Sequence, residues 1–406
     1  MIGDLDAEMR ERKVQGIVVL GDTTLANPDL TYVVGGSLAR GGVYFKRVGR
    51  EPLLVVSNLD IGTARKLGRV RRIQTFTRWG LEKLTAKYRR RDEAFTRLLA
   101  MILRKERIRG KVALFGRNDL AYGIHLADKL RKLRVNAVGE QSPTILEAAR
   151  ETKDKSEVQE IRDVGRKTAI VVNAVLDLLR NVKRKRGHLQ IGKRRATIGL
   201  VKSMISSKLA NEGLVAPEGT IFAIGPSGAD PHNMGVDTDE IKEGRLIVFD
   251  IFPQAETGYW FDLTRTFVVG RADAKATRLF ETVYEAQTAS LDFLREGVTG
   301  EGAMARACDV IERAGYRTVR AVYQGKAKSI SSGFNHSLGH GVGLTIGERP
   351  YLAFLSKDPL RTSQVVTVEP GVYLPNYGGV RIEDTVAITS RGIENLVNVE
   401  KELELA

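Results

Sequence analysis

Four carboxylates stand where an apolar strand would normally exclude them. Asp250 ends the run RLIVF, Asp262 interrupts YWFDLTRTF, Glu369 sits in VVTVEPG and Glu383 in GGVRIEDTVAI. A buried, unpaired carboxylate is costly or takes up a proton. One such acid is commonly half of a structural ion pair. Four of them, joined by His340 in LGHGVGL, point to a shared countercharge, which two divalent cations would supply. Carboxylate oxygens with one imidazole suit Mn2+, Co2+, Zn2+ or Fe2+ better than a thiolate-bound metal. Asp250 and Asp262 flank the turn-like PQAETG and are expected to face one another across an antiparallel hairpin. Glu369 and Glu383 flank a second turn, PGVYLPNYGG. Glycines 339, 341 and 343 are expected to let the backbone approach the metal beside His340.

These residues need a scaffold. Residues 1–140 alternate short β-branched runs (14–21, 41–47, 52–57, 111–116) with helical periodicity (92–108, 118–133), which predicts an α/β domain. Asn118 is the expected cap of the second helix. Gly, Pro and dense charge at 139–155 mark a boundary. A long helix is expected over 155–185, closed by Gly187, its KRKR tail complementing the helix dipole. Another is expected over 194–213. From residue 220 the sequence is strand-rich, with helices at 273–295 and 302–314. Strands and helices in separate runs predict an α+β domain built on a curved antiparallel sheet.

Bulk properties exclude several classes. No apolar run approaches the ~18 residues of a membrane span, and the N-terminus MIGDLDAEMRERK lacks a secretory pattern. A single cysteine forbids an intrachain disulfide, and a reducing cytoplasm fits. Cys308 lies at helical spacing and reads as a buried structural thiol. The net charge of +15 is concentrated in residues 1–150, which hold 30 Lys and Arg against 16 Asp and Glu. No nucleic-acid-binding motif accompanies that surplus, so solvated surface is the expectation and nucleic acid is not an expected partner.

The five candidate ligands, in order and context, resemble those of the pita-bread metallopeptidases, which include prolidase, aminopeptidase P, methionine aminopeptidase and creatinase. DLTRTF, GHGVGL, VEPGVY and VRIEDT are similar to the family's signature segments, and TKDKSEVQEIR to the helix opening its catalytic domain. NPDLTYVVGG resembles part of the N-terminal domain of prolidases and creatinases. The resemblance implies a creatinase/prolidase-like α/β domain over 1–145 and a pita-bread catalytic domain over 150–406. It implies two divalent cations held by Asp250, Asp262, His340, Glu369 and Glu383, with Asp262 and Glu383 bridging. Asp250 would hold one cation, and His340 with Glu369 the other. Glu369 would move the proton while water activated between the cations attacks the peptide bond before proline. His232 in GPSGADPHNMG and His336 in HSLGH match substrate-side histidines, and Arg381 matches an arginine of aminopeptidase P. On a strand Arg381 shares a face with Glu383. His125 and His188 read as surface. A homodimer is also implied.

Two departures stand out. The family places a histidine seven residues after its metal-binding one, where this chain has Gly347; Thr345 and Glu348 beside it have no assigned role. The spacing of Asp250 and Asp262 is one residue longer than usual. Three readings remain open: an Xaa-Pro dipeptidase or aminopeptidase, a metal-dependent hydrolase or lyase of a non-peptide small molecule on the same fold, and a non-catalytic binding module.

Overall fold

The computed structural model describes residues 2–24, 26–185 and 188–405. Two compact units divide the chain: Met1–Arg150 with Glu256–Gly258, and Glu151–Ala255 with Tyr259–Ala406.

The first unit carries six strands: β1 (Gly16–Gly21), β2 (Gly42–Arg47), β3 (Leu53–Val56), β4 (Arg72–Thr75), β5 (Lys111–Phe115) and β6 (Asn136–Val138). Their order is β4-β3-β2-β1-β5-β6. The two β2 pairings are antiparallel and the remaining three parallel. Continuous apolar runs such as GIVVLG suit strands covered on both faces. Val18, Phe45 and Val55 pack with Leu98, Leu99 and Ile102 of the helix Arg91–Lys105. The helix Leu120–Lys132 is capped by Asp119, whose carboxylate accepts from Tyr122 N at 3.1 Å. Asn118, the expected cap, instead donates Nδ2 to Leu20 O at 3.2 Å. A carboxylate complements the positive helix N-terminus better than an amide does.

The second unit opens with the helix Lys155–Arg180. Asp154 accepts from Glu157 N, while Glu157 accepts from Asp154 N, forming a capping box. Ile161, Val164, Val172, Val175 and Leu179 form its buried face. The helix stops earlier than the periodicity predicts. Lys183–Lys185 forms β7, followed by β8 (His188–Ile191) and β9 (Arg194–Arg195) in a three-stranded sheet. Continuing the helix would crowd like charges onto one turn; on a strand they alternate faces, and Arg184 pairs with Glu243. The basic tail therefore does not complement a helix dipole, and Gly187, its expected stop, lies outside the described residues. The next helix, Ile198–Asn211, starts later than expected, behind the cap Thr197, because Arg194 and Arg195 belong to β9.

Next come β10 (Leu214–Val215), β11 (Thr220–Ile224), β12 (Ile247–Ile251), β13 (Gln254–Ala255) and β14 (Leu263–Val269). After the helices Ala274–Phe293 and Gly300–Arg313 come β15 (Gly339–Val342), β16 (Ile346–Leu352), β17 (Val365–Val368) and β18 (Gly371–Leu374). The last are β19 (Gly378–Arg381), β20 (Asp384–Ile388), β21 (Ile393–Asn395) and β22 (Glu404–Leu405). Two larger sheets result, β11-β12-β14-β22 and β16-β15-β17-β20-β21, with β18-β19 as a separate pair. Their pairings are antiparallel apart from β14 with β22. Leu279, Val283, Ala307 and Ile311 of the two helices pack on Val366, Val368 and Val386 of the sheet.

Registers place the acids. β17–β20 runs from Val365↔Ala387 to Val368↔Asp384, and β18–β19 from Gly371↔Arg381 to Leu374↔Gly378. Both belong to one continuous hairpin alignment, interrupted at Pro370, which has no N–H to give. Continuing the ladder sets Glu369 opposite Glu383. In the other pair Asp250 faces Thr264, so Asp262 lies two residues further along the same face. The aspartates are thus diagonal, not directly opposed as the sequence suggested.

The glycines around His340 serve sheet packing. A Cβ at Gly339 would strike the Thr367 carbonyl; one at Gly341 would strike that of Arg349 and lie 2.7 Å from that of Glu348. At Gly343 it would meet the Glu348 carboxylate and sit 3.1 Å from Lys153 Cε. Neighbouring strands and side chains occupy the space the missing side chains leave. Gly341→Ala should therefore destabilise the metal-free protein by about 1–3 kcal/mol, the range for forced overpacking, in denaturant titration. Unchanged metal-free stability would contradict this.

Candidate metal centre

The two larger sheets bring the predicted acids together. Asp262, His340 and Glu383 each offer a ligand atom within 4.8 Å of the others. His340 Nε2 lies 3.7 Å from Asp262 Oδ2 and 3.4 Å from Glu369 Oε1. Asp250 approaches from β12, where its Oδ2 accepts from Arg381 Nη2 at 2.5 Å. Asp262 and Glu383 are almost fully buried, at 5% and 1% exposure, and Asp250 at 8%.

Polar satisfaction is incomplete within this cluster. Asp250 Oδ1, Asp262 Oδ1 and Glu383 Oε1 are buried with no hydrogen-bond partner among the described residues. Two of the other oxygens are held: Glu383 Oε2 by Thr264 Oγ1 at 2.6 Å, Asp250 Oδ2 by Arg381. Glu369 Oε1 accepts from Thr367 Oγ1 at 3.1 Å. Such orphaned, buried acceptors are what a hard divalent cation requires. His340 Nδ1 lies 3.1 Å from the Gly341 carbonyl, so that nitrogen carries the hydrogen and Nε2 presents its lone pair to the carboxylates. The residues present fit bound cations.

Electrostatics agree. Burial, then Glu383, Asp250 and Glu369, hold the Asp262 pKa far above the carboxylate range. Glu383 is raised by burial and by Glu369 and Asp250. Burial pushes Glu369 up to about 8, with Arg381 opposing and Asp250 reinforcing. Without a positive charge at the centre, these acids hold protons.

Around the acids runs a directional hydrogen-bond chain. Arg381 Nη1 donates to Tyr373 Oη at 2.8 Å and to the Pro231 carbonyl at 3.2 Å. His336 Nδ1 lies 2.7 Å from Ser337 O and so carries the hydrogen; its Nε2, 2.9 Å from Tyr373 Oη, accepts a hydrogen bond from the phenolic O–H. Burial and the Arg381 charge bring the His336 pKa down to about 3, so the ring is neutral. Tyr373 is pushed up to about 12 by burial despite Arg381. His232 is exposed on the loop anchored through Pro231, and its backbone N–H bonds Asp230 Oδ1 at 3.2 Å.

Gly347 is the extra residue of a β-bulge, between Val342↔Ile346 and Gly341↔Glu348, in the left-handed region at φ +75°. No atom lies within 4 Å of where its Cβ would stand. The bulge turns Glu348 inward onto Lys153, 2.8 Å away, with both side chains nearly buried. A histidine at 347 would strain this backbone.

Sequence reasoning missed Tyr373, Thr264, Thr367 and the buried Arg265–Asp384 pair at 2.8 Å. Arg265 also staples the carbonyls of Thr264, Glu383, Val399 and Glu400. The available signal was alternation: Thr264 and Thr266 share the Asp262 face, so polar residues inside a buried run recur at a spacing of two.

The sequence profile of metallopeptidase family M24 matches residues 159–390. The chain belongs to metallopeptidase family M24. It is 28% identical to an Xaa-Pro dipeptidase of Pyrococcus horikoshii over 93% of this chain and 92% of that one. It is 38% identical to the Xaa-Pro dipeptidase of Pyrococcus furiosus over 45% of this chain and 48% of the relative. Among solved structures, the prolidase from Pyrococcus furiosus superposes with TM-score 0.72 at 25% identity, covering 98% of this chain and 100% of that one. Aminopeptidase P from E. coli, at 19% identity, superposes with TM-score 0.72 over 98% and 96% of the two chains. The pita-bread architecture with an N-terminal α/β domain is thus the fold of this M24 metallopeptidase. Among the described residues no helix is long and apolar enough to cross a membrane.

Metal and protons compete for the same oxygens. The folded chain holds the Glu369 proton up to about pH 8, whereas an ordinary glutamate releases it near 4.5. That proton's stabilisation is complete below the unfolded value and is lost as pH rises through the folded one. The metal-free protein should melt at falling temperature between about pH 5 and pH 8.5, and added Mn2+ should reverse the fall. A metal-free melting temperature that climbs over this interval would contradict the electrostatic picture.

Proposed function

We propose that this chain is an Xaa-Pro dipeptidase or Xaa-Pro aminopeptidase acting with two divalent cations. The observation that carries the reading is the trio of orphaned, buried carboxylate oxygens on Asp250, Asp262 and Glu383 beside the His340 lone pair. The Xaa-Pro dipeptidases aligned above supply the substrate class. Asp250, Asp262, His340, Glu369 and Glu383 would hold the cations, with Asp262 and Glu383 shared. When bound, such ions activate water and polarise a carbonyl oxygen. Mn2+, Co2+ and Zn2+ suit the donor set.

The chain's own groups would then divide the work. Glu369, whose pKa burial raises to about 8, accepts the proton of the attacking water and returns it to the leaving nitrogen. Arg381 keeps Asp250 oriented from behind. Neutral His336, locked by Tyr373 and the Ser337 carbonyl, offers a polar wall to the substrate and is no proton acceptor near neutrality. Exposed His232 lines the approach on the substrate side. A homodimer, a cytoplasmic location and a catalytic domain over 150–406 belong to the same reading.

The bulge at Gly347 supports a second reading. Without a side chain there, one donor toward a scissile carbonyl is missing, which favours a smaller or non-peptide amide substrate. The full set of candidate ligands weighs against a non-catalytic module.

The test is a panel of Xaa-Pro dipeptides, longer Xaa-Pro peptides, non-proline dipeptides and small non-peptide amides, each with Mn2+ and with chelator. Metal-dependent cleavage restricted to Xaa-Pro bonds is the expected result, and Glu369→Gln should lower kcat about 10²–10⁴-fold. Turnover of the non-peptide amides alone would transfer the chain to the second reading; no turnover of any substrate would remove both.

A further inference from the structure

Strand β14 meets the segment Arg381–Thr385 along a seam of threonine hydroxyls. Thr266 Oγ1 donates to Arg381 O at 2.9 Å and accepts from Arg381 N at 3.0 Å. Thr385 Oγ1 donates to Asp262 O at 2.7 Å. Between them Thr264 O accepts from Glu383 N at 3.1 Å. These three threonines are fully buried, at 0–1% exposure. Two of the hydroxyls bond only backbone. Thr264 differs, because its Oγ1 lies 2.6 Å from the Glu383 carboxylate and 3.3 Å from Arg381 Nε.

A hydroxyl has a single hydrogen. Arg381 Nε can only donate, so Thr264 Oγ1 accepts there and directs its own hydrogen to Glu383 Oε2. That bond ties up one carboxylate oxygen and fixes the plane of the group, leaving Glu383 Oε1 without a partner. The same Oγ1 grips the guanidinium that holds Asp250 Oδ2 at 2.5 Å. One hydroxyl therefore sets the orientation of Glu383 and, through Arg381, that of Asp250. Its β-branched side chain on a buried strand has few rotamers, so the hydroxyl is itself fixed. Asp262, two residues earlier, shares its face.

We propose that Thr264 is a positioning residue for cation binding: it selects which oxygen of Glu383 is free and couples that choice to Asp250. The proposal rests on the metal reading above. Loss of a comparable supporting hydrogen bond typically weakens metal binding about 10–100-fold.

The experiment titrates Mn2+ into metal-free wild type, Thr264→Val and Thr264→Ser by calorimetry, with a melting curve of each metal-free form. Valine keeps the shape and removes the hydroxyl; serine keeps the hydroxyl. The expected result is Mn2+ affinity weakened about 10–100-fold in T264V and within about threefold of wild type in T264S, with both variants folded before metal is added. T264V binding Mn2+ as tightly as wild type would overturn the proposal, as would T264S binding as weakly as T264V. A merely structural role would lower metal-free melting temperatures without moving affinity. If T264V does not fold, Thr264→Cys, a weak donor, takes its place under the same criterion. Wild type that binds no Mn2+ would instead remove the metal reading itself.

Discussion

Like charges forced together in a dry interior are the constraint on which this molecule is organised. Burial raises the proton affinity of Asp262, Glu369 and Glu383, and neighbouring carboxylates, that of Asp250 among them, add to the effect. Among the described residues one permanently positive side chain, Arg381, pairs with a carboxylate of the four, that of Asp250. The surrounding architecture keeps these oxygens from separating. One long hairpin interrupted at Pro370 sets the glutamates opposite each other, a second strand pair sets the aspartates on one face, and a threonine seam joins the two. Behind the seam Arg265, paired with Asp384, gathers the Glu383 carbonyl together with those of Thr264, Val399 and Glu400. Removing one partner of such a buried pair typically costs about 3–5 kcal/mol, so this backing is rigid.

Much of this is legible in the amino-acid sequence. Acids interrupting apolar strand runs are conspicuous, because burial excludes them unless something compensates; that logic finds the cluster and the strands carrying it. The network behind it is less visible. Tyr373 and Thr264 read as ordinary strand residues, since β-branched and aromatic side chains are common in strands whatever their hydroxyls do. Hydrogen-bond direction depends on which nitrogen of His336 faces Ser337, and no sequence pattern encodes that. Periodicity also overruns the helix ending at Arg180, because it registers apolar spacing and not the repulsion of a basic run. The hairpin register differs by two residues at Asp262, since turn geometry fixes register and the turn is longer than the pattern implies.

The glycines show how residue type and purpose can part company. Gly339, Gly341 and Gly343 beside a candidate metal-binding histidine suggest close approach to an ion, yet their missing side chains make room for neighbouring carbonyls and the Lys153–Glu348 pair. Gly347 differs again: nothing crowds it, and its left-handed backbone forms the bulge that turns Glu348 inward. Where the family resemblance led to the expectation of a histidine, the chain carries this backbone feature instead.

The central claim is that paired cations hold the four acids together, and a crystal soaked in Mn2+ tests it most directly. Anomalous difference density recorded at the manganese edge should show two peaks within ~4 Å of each other, enclosed by Asp250, Asp262, His340, Glu369 and Glu383. Density with no peak among those five side chains, or a fully occupied single ion that leaves Asp250 still turned to Arg381, would contradict it.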